Sequence, residues 1–190
     1  HDLAGYGHLK ARFHRYPVHF ASLADGDVPQ GLGAEVHRPA DLDAIGVDIQ
    51  TAHAGEFAGA DSVRDTIETL APDRIGHAVH AADDPEVMEL ITDNEITIES
   101  CPTSNYYTCS VPNLKSHPLP VFLENGLPVS LSADDPTLFS GISTSHEYEL
   151  AEREMGVTAE NLRKIQMDGF LASFITPKQK SEILGRKTQG

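Results

Sequence analysis

The sequence has no tryptophan, two cysteines and few aromatic residues, which make up 6% of the chain. Positive charge is scarce as well: 14 Lys and Arg stand against 29 Asp and Glu, a formal charge of −15 at pH 7. A surface of that sign repels a phosphate backbone, which argues against DNA or RNA as a partner and leaves small neutral ligands open. Cys101 and Cys109 lack the paired spacing of a zinc knuckle or a redox motif. Both are expected to be buried, reduced thiols, which suits a cytoplasmic protein. No apolar run is long enough to span a bilayer and no basic-then-apolar leader opens the chain, so no membrane partner is expected. Position 1 is His1 rather than Met, directly in strand-like sequence, and the chain is expected to be part of a longer protein.

What the sequence does have is a set of polar residues placed where strands end. The apolar run 127–131 reads as a buried strand, and Ser132-Ala133-Asp134-Asp135-Pro136 follows it. Pro136 stops strand pairing, so both carboxylates sit where the strand opens into a loop. Taken alone, Asp before Pro also fits a helix N-cap. Three other strand ends carry His53 with Glu56, then His77, then Ser104 and Asn105. In a parallel α/β protein the carboxyl edge of the sheet is where ligands bind.

The regular pattern runs from residue 47 onward. Residues 47–53 read as a strand, followed by a helix with Val63, Ile67 and Leu70 on one face and Pro72 at its end. Arg74-Ile75-Gly76-His77 is a short strand, and Asp84-Pro85 caps a helix that turns Val87, Leu90 and Ile91 inward. Residues 96–100 are β-branched strand sequence entering a loop at Cys101-Pro102, with Ser104 and Asn105 shaping that loop. Leu119, Phe122 and Leu123 form a helix stripe closed by Asn125-Gly126. Helices are predicted over 147–154 and from Thr158, and Thr176-Pro177-Lys178-Gln179 opens a last one as a capping box. Before residue 47 the order is weaker. Residues 13–23 form a helix interrupted at Pro17, and 25–46 is an extended connection. Four strand-then-helix units argue a parallel sheet, which a doubly wound fold or a barrel would both satisfy.

Thr51-Ala52-His53-Ala54-Gly55-Glu56, Arg74-Ile75-Gly76-His77, Cys101-Pro102-Thr103-Ser104-Asn105 and Ser132-Ala133-Asp134-Asp135-Pro136, in that order, resemble the adenosine deaminase family. The resemblance extends from Ile49 to about Leu184. It implies an α/β fold of TIM type, a (β/α)8 barrel of which this chain is roughly the second half: strands five to eight plus the end of strand four. Residues 1–190 are then the C-terminal part of a single barrel domain, since a complete barrel takes about 250 residues.

The resemblance also implies roles. His53 and Asp134 are the metal ligands for Zn2+, the other two being a His-x-His pair on the first strand that this sequence does not contain. His8, His14, His19 and His37 have the wrong spacing to replace that pair. Glu56 is the proton shuttle that protonates purine N1 while hydroxide attacks C6. His77 orients the attacking hydroxide and stabilises charge as the tetrahedral intermediate forms. Asp135 meets purine N7; because N7 only accepts, one partner of that contact must carry a proton. Gly5, ending Leu3-Ala4-Gly5, brings its amide to the purine, although Tyr6-Gly7-His8 stands where relatives carry an acidic pair. His80, His117 and His146 are expected to be ordinary surface or loop residues, and Cys101 to be packing.

The expected activity is hydrolytic deamination of adenosine and deoxyadenosine in purine metabolism, with a purine nucleoside as partner and no indication of oligomeric state. One alternative keeps the chemistry and changes the substrate to adenine or another adenosine derivative. A second is a non-catalytic copy or fragment, because half a barrel lacks the His-x-His strand.

Overall fold

The computed structural model describes residues 50–139 and 141–187. Gly5, the 13–23 helix, the 25–46 connection and the start of the 47–53 strand lie outside the described residues. Four short strands, β1 (Thr51–Ala54), β2 (Arg74–His77), β3 (Thr97–Ser100) and β4 (Val129–Leu131), pair parallel in the order β1-β2-β3-β4. A doubly wound sheet reverses strand order at its switch point, whereas a barrel wall runs in sequence. The observed order is therefore that of the barrel. The register aligns His53 with Gly76, Gly76 with Glu99 and Glu99 with Ser130, so all four strands end at one edge.

The helices form where local chemistry starts and stops them. Helix α1 (Ala60–Leu70) buries Val63, Ile67 and Leu70, and Ala71 ends it in the left-handed region (φ 45°) just before Pro72. Helix α2 (Pro85–Asp93) has Pro85 at its first position and the Asp84 carboxylate accepting from the Glu86 amide at 2.9 Å. Val87 and Ile91 are buried, with Leu90 half-buried beside them. Helix α3 (Pro102–Tyr107) follows β3, and α4 (Leu119–Glu124) buries Leu119, Phe122 and Leu123 as its stripe predicts. Helices α5 (Thr144–Met155) and α6 (Ala159–Leu171) are capped by Ser143 and Thr158. In α7 (Pro177–Lys187) the predicted box closes reciprocally: the Thr176 amide donates to Gln179 Oε1 at 2.9 Å and the Gln179 amide to Thr176 Oγ1 at 3.3 Å.

Apolar residues on one face of the sheet (Ile75, Ile98, Val129 and Leu131) join the helix stripes in a single core with Phe122 and Ile165. Each such side chain, fully buried, contributes about 1.5–3 kcal/mol relative to exposure. The other face is polar. Thr51 donates to Glu99 Oε2 at 2.8 Å, Arg74 lies 3.2 Å from Glu99 Oε1, and the Arg74 guanidinium stacks over Phe174. Helix α6 runs along β4 and satisfies part of its outer backbone. The Val129 amide donates to Asp168 Oδ2 at 3.2 Å, and Lys164 donates to the Leu127 carbonyl at 3.1 Å.

The structure corrects several expectations. Residues 102–107 are helical rather than loop, so Ser104 and Asn105 sit on α3. Strand β4 begins at Val129 because the Leu127 amide is still used by the Phe122 carbonyl in the exit from α4. Helix α5 starts at Thr144, ahead of the predicted 147, where Ser143 supplies the cap. Cys109 is exposed, not buried, whereas Cys101 is buried as expected. His117 is a buried residue rather than a surface one. Among the described residues no helix is long and apolar enough to cross a membrane.

Candidate active site

The carboxyl edge of the sheet brings His53, Glu56, His77 and Asp134 to one side of the molecule. His53 is the third residue of β1, and its ring meets the His77 ring edge-on, centroids 4.8 Å apart at 84°. Its seat depends on Gly76, the neighbouring residue on β2. A Cβ there would fall 2.5 Å from His53 Cδ2 and 2.9 Å from Nε2, so only glycine leaves room for the imidazole.

Beyond β1 the chain turns at Gly55 (φ 65°), a left-handed position where a Cβ would also strike Val63 at 2.5 Å. The turn is pinned by the Gly55 amide donating to Ser62 Oγ at 3.0 Å and the His80 amide donating to the Gly55 carbonyl at 3.0 Å. It delivers Glu56 to His77, with Glu56 Oε2 3.5 Å from His77 Nε2. Burial raises the Glu56 carboxyl to about 7; a Thr108 hydrogen bond works against the rise and the nearby Asp134 charge adds to it. Burial also pushes His77 down to about 4, helped by His53 and opposed by Asp134. The 3.5 Å contact is thus between a neutral imidazole and a carboxyl poised near neutrality.

His77 ends β2 and Asp134 lies three residues past β4, and both have left-handed backbones, at φ 67° and 56°. For L residues that conformation costs of order 1 kcal/mol or more, and such positions cluster at functional sites. Asp134 is held by its neighbours: Ser104 donates to its Oδ2 at 2.7 Å, and its own amide donates to Ser132 Oγ at 3.1 Å. Asp135 is half-buried, and its Oδ1 accepts from the amides of Thr137 and Leu138, each at 3.0 Å. Asp135 therefore caps a turn over residues 136–139, not the helix that an Asp-Pro N-cap would start.

Two contacts that anchor this edge reach residues with no local sequence signal, Glu147 and His117. The Thr103 amide, in the first turn of α3, donates to the carboxylate of Glu147 at 3.0 Å across 44 residues, and Glu147 is buried. Burial raises its pKa, opposed by hydrogen bonds from Thr103. Asn105 is buried between two histidines, its Nδ2 3.1 Å from His77 Nδ1 and its Oδ1 3.2 Å from His117 Nε2.

For a metal, the donors present are an imidazole and a carboxylate, the ligand types of hydrolytic zinc sites, and the Ser104 contact orients the carboxylate as an outer-shell partner does. Among the described residues no group of three or more His, Cys, Asp or Glu gathers to hold an ion. The donor set fits zinc in kind.

The Glu56 shift carries a prediction for metal-free protein. Unfolded, the carboxyl titrates near 4.5; folded, near 7. Its contribution to stability is present below about pH 4.5 and is lost as pH rises through about 7, by roughly 3 kcal/mol. With chelator present, urea midpoints measured from pH 4.5 to 7.5 should fall more steeply in the wild type than in Glu56→Gln. Parallel curves would mean Glu56 is solvated.

Comparison with known proteins gives a consistent result. A family model described as adenosine deaminase matches residues 40–188. An adenosine deaminase of Klebsiella pneumoniae (strain 342) is 40% identical over 140 residues, covering 74% of this chain and 42% of that protein. The chain thus spans about two fifths of the length of the curated relatives it matches. The crystal structure of an adenine deaminase from Arthrobacter aurescens superposes with a TM-score of 0.69 at 26% identity, covering 82% of this chain and 50% of that one. An amidohydrolase from Burkholderia ambifaria, solved with bound Zn, superposes with a TM-score of 0.67 at 26% identity over 75% of this chain and 40% of that one.

Proposed function

The chain belongs to the adenosine deaminase family, and from that premise we propose that the complete protein is a zinc-dependent hydrolase converting adenosine and deoxyadenosine to their 6-oxo forms and ammonia. Residues 1–190 form the C-terminal part of its single barrel domain. The observation that carries the reading is the placing of Glu56, with its carboxyl raised to about 7, against His77 at the strand edge that also holds His53 and Asp134.

His53 and Asp134, with further ligands from outside residues 50–187, would hold zinc, which would supply an activated water as nucleophile at neutral pH. The chain's own residues then divide the work. Glu56, able to give or take a proton near pH 7, delivers one to purine N1, which makes C6 electrophilic. His77 faces the arriving oxygen through Nε2. Asp135 anchors itself through Oδ1 and meets N7 through Oδ2, one partner of that contact carrying the proton. The Gly5 amide contributes to the purine wall. Ser104 holds Asp134 in place.

The similarity to an adenine deaminase structure favours one second reading, the same chemistry on the free base. Initial rates separate the two. The zinc-loaded complete protein should deaminate adenosine and deoxyadenosine with higher kcat/KM than adenine or a 5′-phosphorylated adenosine, followed by absorbance loss and ammonia release. A preference for adenine would make it a base deaminase. No turnover of any of them would favour a non-catalytic homologue.

A further inference from the structure

The buried chain Leu119–His117–Asn105–His77 has a direction that fixes where every proton lies. It starts at the Leu119 amide, which donates to His117 Nδ1 at 3.1 Å. A backbone N–H only donates, so Nδ1 of His117 is unprotonated. Imidazole keeps at least one N–H, and here it must be on Nε2. That nitrogen lies 3.2 Å from Asn105 Oδ1 and donates to it. With its oxygen turned to His117, Asn105 presents its NH2 to His77 Nδ1 at 3.1 Å. An amide nitrogen only donates, so Nδ1 of His77 accepts and the proton of His77 resides on Nε2.

The opposite arrangement fails on the same accounting. Flipping the Asn105 amide would set a donor against His117 Nε2 while the Leu119 amide still occupies Nδ1. His117 would then need two lone pairs and no proton, an imidazolate that neutral water does not sustain. A doubly protonated His117 fails too, because it could not accept from Leu119, and burial pushes this ring down to about 3. The three side chains are sealed from solvent, at 2% exposure for His77, 0% for Asn105 and 3% for His117, so water does not substitute for a lost link.

We propose that His117 and Asn105 are positioning residues that lock His77 in its Nε2–H tautomer, so that His77 enters the reaction as a hydrogen-bond donor and not as a base. The consequence for the proposed deaminase site, on whose reading of His77 this inference rests, is a division of labour with Glu56. The Nε2–H stabilises negative charge on the oxygen that attacks C6, but cannot accept a proton there. Proton movement falls to Glu56, 3.5 Å away. The source of the lock is the Leu119 amide, an N–H at the start of α4 that has no partner within its own helix.

Long-range nitrogen–proton correlation spectra of the complete protein, labelled with 15N-histidine and assigned with a His77→Asn variant, read the tautomer directly. The wild type should show His77 with an unprotonated Nδ1 and a protonated Nε2 at neutral pH. Asn105→Asp replaces the donating NH2 by a carboxylate oxygen, which should move the His77 proton to Nδ1 and lower kcat roughly 10- to 100-fold with KM little changed. His117→Gln keeps a donor for Asn105 Oδ1 and should retain both tautomer and most of the turnover; His117→Leu should not. A wild-type spectrum with the His77 proton on Nδ1, or on both nitrogens, overturns the lock whatever the variants do. The expected wild-type tautomer together with unchanged kcat in Asn105→Asp supports the lock and overturns instead the role assigned to His77 in deamination.

Discussion

Replacing Glu56 by glutamine should leave the complete protein folded and metal-loaded while lowering kcat on adenosine by about 10²–10⁴, the usual worth of a positioned general acid–base group. Glutamine matches glutamate in shape. Its amide oxygen preserves an acceptor for the Nε2 side of His77, where Glu56 Oε2 now lies at 3.5 Å. What it cannot do is hold an exchangeable proton. Glu56 does so near neutral pH because burial raises its carboxyl to about 7. A solvated glutamate, with its pKa near 4.3, would keep well under a hundredth of its population protonated at pH 7. Steady-state kinetics and metal analysis on the same preparation check the prediction. Turnover within a few-fold of wild type would place the proton shuttle elsewhere and reduce Glu56 to a turn residue.

How much of this was legible in the sequence depends on the range over which each feature is determined. The helix stripes at Val63, Ile67 and Leu70, and at Leu119, Phe122 and Leu123, were readable because period and caps are local. The capping box at Thr176 is equally local, and it closes as written. Four strand ends with polar residues suggested a ligand edge before any coordinates. They did not distinguish a barrel wall from a doubly wound sheet, which the sequential strand order does. Helix α3 escaped detection because its six residues are too few to show a period. Its anchor, Glu147, acts across 44 residues, and a buried carboxylate in a run reading Thr-Ser-His-Glu looks like any exposed helix start. His117 was misread for the same reason. Ser-His-Pro is turn-like sequence, and the packing of α3 and α5 against this turn makes the ring interior. The one available hint was its place just ahead of the Leu119 stripe, where a side chain is drawn inward with the helix.

The metal variants should give the largest effect of all: His53→Ala and Asp134→Ala should each cost the complete protein its zinc and, with it, detectable deamination. Hydrolytic zinc sites use few protein ligands and leave a position for water, so losing one donor removes a large share of the binding free energy. These two donors also sit on structures built around them. Asp134 takes a left-handed backbone conformation (φ 56°) and accepts from Ser104 at 2.7 Å, an arrangement that costs strain and aims a carboxylate. His53 lies over Gly76, where no side chain fits. That seat allows a sharper test than deleting a ligand. Gly76→Ala removes no donor, yet its Cβ would come 2.5 Å from His53 Cδ2 and force the ring off its position. Zinc content should fall in Gly76→Ala as well, with circular dichroism showing the fold retained. Ser104→Ala, which frees Asp134 without touching His53, should weaken zinc affinity roughly 10- to 100-fold. If His53→Ala and Asp134→Ala both retain stoichiometric zinc, the ligand assignment fails. If they lose it while Gly76→Ala holds zinc at wild-type affinity, then the donors are right and the ring is not bound in the position seen here.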